Sequence, residues 1–199
     1  IGNIVGSNIF NILFILGLCS VIKPVLFSRN NLRVDIGVCL AVTSLLALML
    51  WGGSLSRIEG IALLLLYIAI ITISIKMGKA EAAIEAEDEV KDILPWWKSI
   101  MFICVGFVAL VYGADLTLDS AVAIARDFGI SERIIGITLL AGGTSLPEVA
   151  ASLVALSKGH GALALGNVIG SNIANILLIL GTCATISPLT MNGITVVDL

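Results

Sequence analysis

The chain has 199 residues, of which 58% are hydrophobic and 13% charged, with a mean hydropathy of +1.11 and a net charge of −3. A soluble domain carries about 25% charged residues, so the apolar excess here has to face lipid, and soluble, disordered and collagen-like classes are excluded. The acidic balance gives no basic face for nucleic acid.

Six apolar runs follow in chain order, at about 1–22, 35–51, 58–75, 99–125, 134–157 and 162–186, each bounded by Lys, Arg, Asp, Glu or Pro. Most reach the roughly 20 residues that a bilayer core requires. In lipid, a lone run satisfies its backbone hydrogen bonds only as a helix, and these runs lack the alternation of barrel strands. The predicted fold class is therefore all-α, a polytopic transmembrane helical bundle, and strands are not expected. The first run is too rich in Asn and Gly for a signal peptide and reads as a span.

Charge in the connections sets orientation. The loops after runs one, three and five hold Lys23, Arg29, Arg33, Lys76, Lys79, Lys91, Lys98 and Lys158, against Arg57, Arg126 and Arg133 on the other side. The positive-inside rule makes the first side cytoplasmic. Trp51, Trp96 and Trp97 fall at predicted span ends, as an aromatic belt or as packing residues. Cys19, Cys39, Cys104 and Cys183 all lie inside apolar runs and read as small buried side chains. The acidic stretch 76–98, with Glu81, Glu85, Glu87, Asp88, Glu89 and Asp92, reads as a solvated cytoplasmic linker rather than a calcium loop. It divides the chain into 1–75, the linker 76–98, and 99–199. With Ile1 in first place, the sequence reads as a fragment of a longer protein.

The strongest internal signal is a repeat. Gly-Asn-Ile-Val-Gly-Ser-Asn-Ile-Phe-Asn-Ile-Leu-Phe-Ile-Leu-Gly at 2–17 recurs as Gly-Asn-Val-Ile-Gly-Ser-Asn-Ile-Ala-Asn-Ile-Leu-Leu-Ile-Leu-Gly at 166–181, so that residue 2 maps onto 166 at an offset of 164. Chance likeness between apolar runs would match Leu and Ile, not polar residues in register. The copies are runs one and six, five crossings apart, so they run in opposite directions. Inverted repeats are the architecture of many secondary transporters, with the ligand site near midplane between them.

The polar residues inside the spans are few. Run five carries Ala-Gly-Gly-Thr-Ser-Leu-Pro-Glu at 141–148. Pro147 lacks a backbone donor and its ring clashes with the carbonyl of Gly143, which predicts a broken or kinked helix with carbonyls free for a cation. Glu148 lies deep in the run, where a carboxylate is costly unless it is paired, protonated or holding a metal. Helical spacing puts Thr144 and Ser145 on one face with Glu148. Ser7 with Asn11, and Ser171 with Asn175, each project a hydroxyl and an amide from one helix face. Such hard oxygen donors suit Na+ and Ca2+, and no Cys/His cluster accompanies them. The alternative is helix packing. That reading is preferred for Gly2, Gly6, Gly166 and Gly170, and for Asn3, Asn8, Asn167 and Asn172, while Asp115 and Asp119 sit near the outer end of run four, where hydration is cheap.

Gly143-Thr144-Ser145-Leu146-Pro147-Glu148, followed by Gly166-Asn167 and Gly170-Ser171-Asn172 and doubled by Gly6-Ser7-Asn8, resembles the cation/calcium exchanger superfamily, most closely its sodium/calcium exchanger branch. The resemblance covers essentially the whole chain and implies ten helices, of which about six are present here: three through eight, with the start of nine. It implies an antiporter in which Na+ entry drives Ca2+ extrusion by alternating access. Glu148 would be the second repeat's central carboxylate, with Thr144, Ser145, Ser171 and the Ala141 carbonyl as Na+ ligands and Ser7 and Asn11 as ligands from the first repeat. Some members place Asp where this chain has Asn175, which leaves the coupling ion and stoichiometry open between Na+/Ca2+, H+/Ca2+ and K+-dependent exchange.

The expected substrates are Na+ and Ca2+, with no cofactor, nucleic acid or obligatory protein partner, in the lipid bilayer of a prokaryotic inner membrane. A passive channel would not account for the inverted repeat. A hydrolase built on Ser145 fails on inventory: the single histidine, His160, is in a loop, and no HExxH or span-five lysine exists.

Overall fold

The computed structural model describes residues 1–23, 29–85, 95–131, 135 and 141–190, with side chains except at 29–33, 77–85 and 141. Helix α1 is one rod, Gly2–Ile22, built of an α-helical Gly2–Phe10, a π-helical turn Asn11–Leu16 and an α-helical Gly17–Ile22. Helix α2 (Arg29–Met49) ends in a 3-10 turn, Leu50–Gly52, closed by Gly53 at φ 72°, a left-handed value that glycine adopts without strain. Helix α3 (Arg57–Glu85) starts at a capping box: the backbone N–H and Oγ of Ser56 both donate to Glu59 Oε2 at 2.7 Å, and the Glu59 N–H returns a bond to Ser56 Oγ at 3.3 Å. Helix α4 (Trp96–Asp127) is the longest.

The fifth expected span is broken. A short turn, α5 (Ala141–Gly143), gives way to Thr144 and Ser145 in a turn, and α6 (Leu146–Ser157) begins with Pro147 in its first turn, where a missing N–H costs nothing. Thr144 and Ser145 therefore do not share a continuous helix face with Glu148, as uninterrupted spacing had implied; they belong to the break itself. Helix α7, Gly161–Ile186, repeats the plan of α1: α-helical Gly161–Ala174, a π-helical turn Asn175–Leu180, and α-helical Gly181–Ile186. The two π turns coincide at the 164-residue offset read from the sequence, and both rods end in an extended residue, Lys23 and Ser187.

Among the described residues, five helices are long and apolar enough to cross a membrane. Large apolar side chains such as Leu13, Phe107, Leu116 and Ile124 stand exposed on their outer faces, the arrangement of a multi-pass protein in lipid. Two further departures from expectation are local. Ser54–Leu55 (β1) pairs antiparallel with Leu189–Thr190 (β2), a two-residue bridge tying the end of α2 to the end of α7. Cys19 and Cys39 are buried, but Cys104 and Cys183 are exposed on outer faces.

The interior is organised around α7. Its C-terminal half packs with α2 and α3 through Val42, Leu46, Leu63, Ile176, Leu177 and Leu180. Its N-terminal half packs with α1 and α6 through Ile15, Cys19, Leu156, Ala164 and Val168. The α3–α7 contact is close enough to need glycine: a Cβ at Gly60 would lie 2.7 Å from Thr185 N and 2.8 Å from Gly181 O. At the break the glycines instead lie against the ends of side chains, which can give way. A Cβ on Gly142 would meet Phe10 Cε2 of α1 at 2.9 Å, and one on Gly143 would meet Leu118 Cδ1 of α4 at 2.5 Å. The broken segment is thereby seated between α1 and α4.

Candidate functional site

Where α1 and α7 cross, four asparagines close on one another. Asn8 Nδ2 donates to the Asn172 carbonyl at 3.2 Å, and Asn172 Nδ2 donates to the Asn8 carbonyl at 3.1 Å. One turn along, Asn11 Nδ2 donates to Asn172 Oδ1 and Asn175 Nδ2 donates to Asn8 Oδ1, both at 2.9 Å. Residues 8 and 172, and 11 and 175, are repeat equivalents, so each bond has its mirror. Such reciprocity, i to j and j to i, is the mark of a two-fold axis, and it places the pseudo-symmetry axis of the repeat between Asn8 and Asn172.

The break in run five joins this crossing through hydroxyls. Ser7 Oγ donates to the Asn3 carbonyl at 2.9 Å and lies 2.8 Å from Thr144 Oγ1. Either hydroxyl can donate in the Ser7–Thr144 contact. Gly142 O accepts from the Ser145 N–H at 3.0 Å. Ser145 itself is buried. Farther along, Asn167 Nδ2 bridges the Glu148 carbonyl at 3.2 Å and Ser152 Oγ at 3.0 Å, fixing α6 on α7 at the first turn of α6.

Against this bonded background, two side-chain atoms stand out. Among the described residues, the buried side-chain oxygens with no hydrogen-bond partner are Glu148 Oε2 and Asn11 Oδ1. A buried acceptor without a donor is costly, and where it is retained a cation is one way to satisfy it. No group of three or more His, Cys, Asp or Glu exists among the described residues, so the donor set is one carboxylate with neutral hydroxyl, amide and backbone oxygens, suited to hard cations. Of the residues singled out in the sequence, Ser7, Asn11, Thr144 and Asn175 are joined to this crossing by the bonds above. Ser145 and Ala141 lie in the adjoining break, and Ser171 is half-buried beside Asn172. Asp115 and Asp119 are exposed on α4 and take no part. Asn8, Asn172 and Asn167 carry more of the geometry than the sequence reading allowed. The doubling of Asn8 and Asn172 at the repeat offset, three residues before Asn11 and Asn175, was the available signal.

A sequence profile of the sodium/calcium exchanger protein family matches residues 1–76 and 98–199, leaving out only the acidic stretch between. The chain belongs to the sodium/calcium exchanger family. That family is one of transporters, not of enzymes. The chain is 32% identical over 200 residues to inner membrane protein YrbG of Escherichia coli, covering 94% of this chain and 60% of that protein. It is 45% identical over 91 residues to sodium/calcium exchanger MaX1 of Methanosarcina acetivorans, covering 46% of this chain and 26% of that one. Its structure is similar to that of the sodium-calcium exchanger NCX_Mj soaked with Na+ and Sr2+, with a TM-score of 0.78 at 34% identity over 98% of this chain and 63% of that one. The helical transporter fold expected from the inverted repeat is thus the fold found, and the chain spans about 60% of the length of relatives that it matches.

Proposed function

We propose that this chain forms the core of a secondary active antiporter that exchanges Na+ for Ca2+ by alternating access. The observation that carries the reading is the pair of buried, unpartnered oxygens, Glu148 Oε2 and Asn11 Oδ1, beside a crossing of two inverted repeats. Glu148 supplies the charge. Thr144, Ser145, the Ala141 carbonyl and Ser171 from one repeat, with Ser7 and Asn11 from the other and Asn175 at the crossing, supply neutral oxygens. Both ions draw on these same donors, so occupancy by one excludes full occupancy by the other. Emptying the site leaves a buried charge uncompensated, which disfavours return without cargo. Exchange that moves net charge responds to membrane potential, by about 2.3 kcal/mol per elementary charge per 100 mV.

On this reading residues 1–75 close the first repeat half, 76–98 form an acidic cytoplasmic linker, and 99–199 belong to the second half. The membrane is the inner membrane of a prokaryote, as the name of YrbG supports, and the positive-inside count supports a cytoplasmic linker. The substrates are Na+ and Ca2+, without a cofactor.

The test is Na+-gradient-driven 45Ca2+ uptake into vesicles carrying the full-length protein, repeated with K+ or a pH gradient in place of Na+. Uptake that follows the Na+ gradient alone, and is lost in Glu148→Gln, supports the reading. Normal transport by Glu148→Gln would remove the carboxylate from its role, and uptake driven only by K+ or protons would reassign the coupling ion.

A further inference from the structure

The four asparagines at the α1–α7 crossing have a polarity fixed by two backbone carbonyls. Asn172 Nδ2 donates to the Asn8 carbonyl, an atom that can only accept. Asn172 Oδ1 is therefore turned the other way and can also only accept, so Asn11 has to meet it with Nδ2. The same logic runs in reverse: Asn8 Nδ2 is taken by the Asn172 carbonyl, and Asn8 Oδ1 accepts from Asn175 Nδ2. An amide whose nitrogen is held has its oxygen on the opposite edge. For Asn11 that oxygen is one of the two buried, unpartnered acceptors.

The geometry points to Asn8 and Asn172 as positioning residues of the ion site, each clamping the amide of the opposite repeat so that it offers oxygen, and not its NH2 group, to the cation. This rests on the exchanger reading above. Without the clamp, the terminal torsion of Asn11 is broad and roughly two-fold, and half of its orientations would turn N–H dipoles towards a positive charge. Hydrophobic packing alone could hold α1 on α7, but it could not choose between the two edges of an amide. The two backbone carbonyls do so without any titrating group.

The test is a double-mutant cycle in Ca2+ affinity, read by equilibrium 45Ca2+ binding to the purified full-length protein. Outer partners of metal ligands are worth about 10–100-fold in affinity, so Asn172→Leu and Asn11→Ala are each expected to weaken binding at least about tenfold. The double variant is expected to bind no more weakly than the worse single one, because Asn11 is no longer presented once Asn172 is gone. The pair Asn172→Leu and Asn175→Ala stays additive, whereas a general loosening of the crossing would couple both pairs alike. Additive losses in the Asn172/Asn11 cycle, or equal coupling in both cycles, overturn the proposal. If Asn172→Leu does not fold, Asn172→Asp takes its place: it keeps the acceptor for Asn11 Nδ2, so Asn11→Ala must still weaken binding in that background, and absence of that loss overturns the proposal. Failure of the exchanger reading shows itself separately, as wild-type protein that binds neither Ca2+ nor Na+.

Discussion

Ser7 Oγ and Thr144 Oγ1 stand 2.8 Å apart, joining α1 to the break between α5 and α6 across 137 residues of chain. Ser7 Oγ also donates to the Asn3 carbonyl, so the contact ties the start of α1 to the break. Thr144→Val keeps the shape and removes one of the two hydroxyls, with an expected loss of about 1 kcal/mol in stability. Ser7→Ala removes the other. In a double-mutant cycle read by thermal unfolding in detergent, the two losses should fall short of additivity by at least about 0.5 kcal/mol; strict additivity would mean that the hydroxyls do not interact.

Glu148 is half-buried with one buried, unpartnered carboxylate oxygen, and its removal should separate stability from binding. Ion-free Glu148→Gln is expected to unfold at a higher temperature than ion-free wild type, because a buried unpartnered carboxylate is replaced by a neutral amide. Ca2+ at about 100 times its Kd should stabilise wild type by about 2.7 kcal/mol and leave Glu148→Gln unmoved. Equal Ca2+-induced shifts in the two proteins would place the ion elsewhere.

The approach of α3 to α7 at Gly60 leaves no room for a side chain. Gly60→Leu would drive carbon atoms into Thr185 N, Gly181 O and Ala184 Cβ, two of them backbone atoms that cannot rotate away. Overpacking of this kind costs about 1–3 kcal/mol. Gly52, where a Cβ would have no neighbour within 4 Å, should accept alanine with a change of no more than roughly 0.5 kcal/mol. Comparable thermal stability of the two variants would contradict the packing described.

The capping box at the start of α3 is remote from the ion site and should affect stability alone. Ser56→Ala removes both the Oγ bond to Glu59 and the acceptor for the Glu59 N–H, at an expected cost of about 0.5–2 kcal/mol. Its Ca2+ affinity should match that of wild type; a change in affinity would tie the entry of α3 to the site.

The sequence made the spans, the break at Pro147 and the repeat visible because each leaves a mark in composition: apolar runs, a residue without an N–H, and polar residues matched in register. Glu148 was visible for the same reason, as a charge where charge is costly. The π turns at Asn11–Leu16 and Asn175–Leu180 were not, since one extra residue in a turn changes backbone bonding without changing hydropathy. Asn8 and Asn172 were read as packing residues because an isolated helix shows an asparagine's face but not its partner; their roles arise only when α1 crosses α7. The bridge between Ser54–Leu55 and Leu189–Thr190 is too short to impose any alternation. Cys104 and Cys183 sit in runs as apolar as those of Cys19 and Cys39, and composition cannot tell a residue facing a neighbouring helix from one facing outward.

A substitution at Asn8 takes a donor from the Asn172 carbonyl and an acceptor from Asn175, both in the other copy of the repeat. Elsewhere the two copies differ, as at Phe10 and its counterpart Ala174. At positions 8, 11, 172 and 175 the amides of the two copies lean on one another, so that a change made in one copy unmakes a bond of the other.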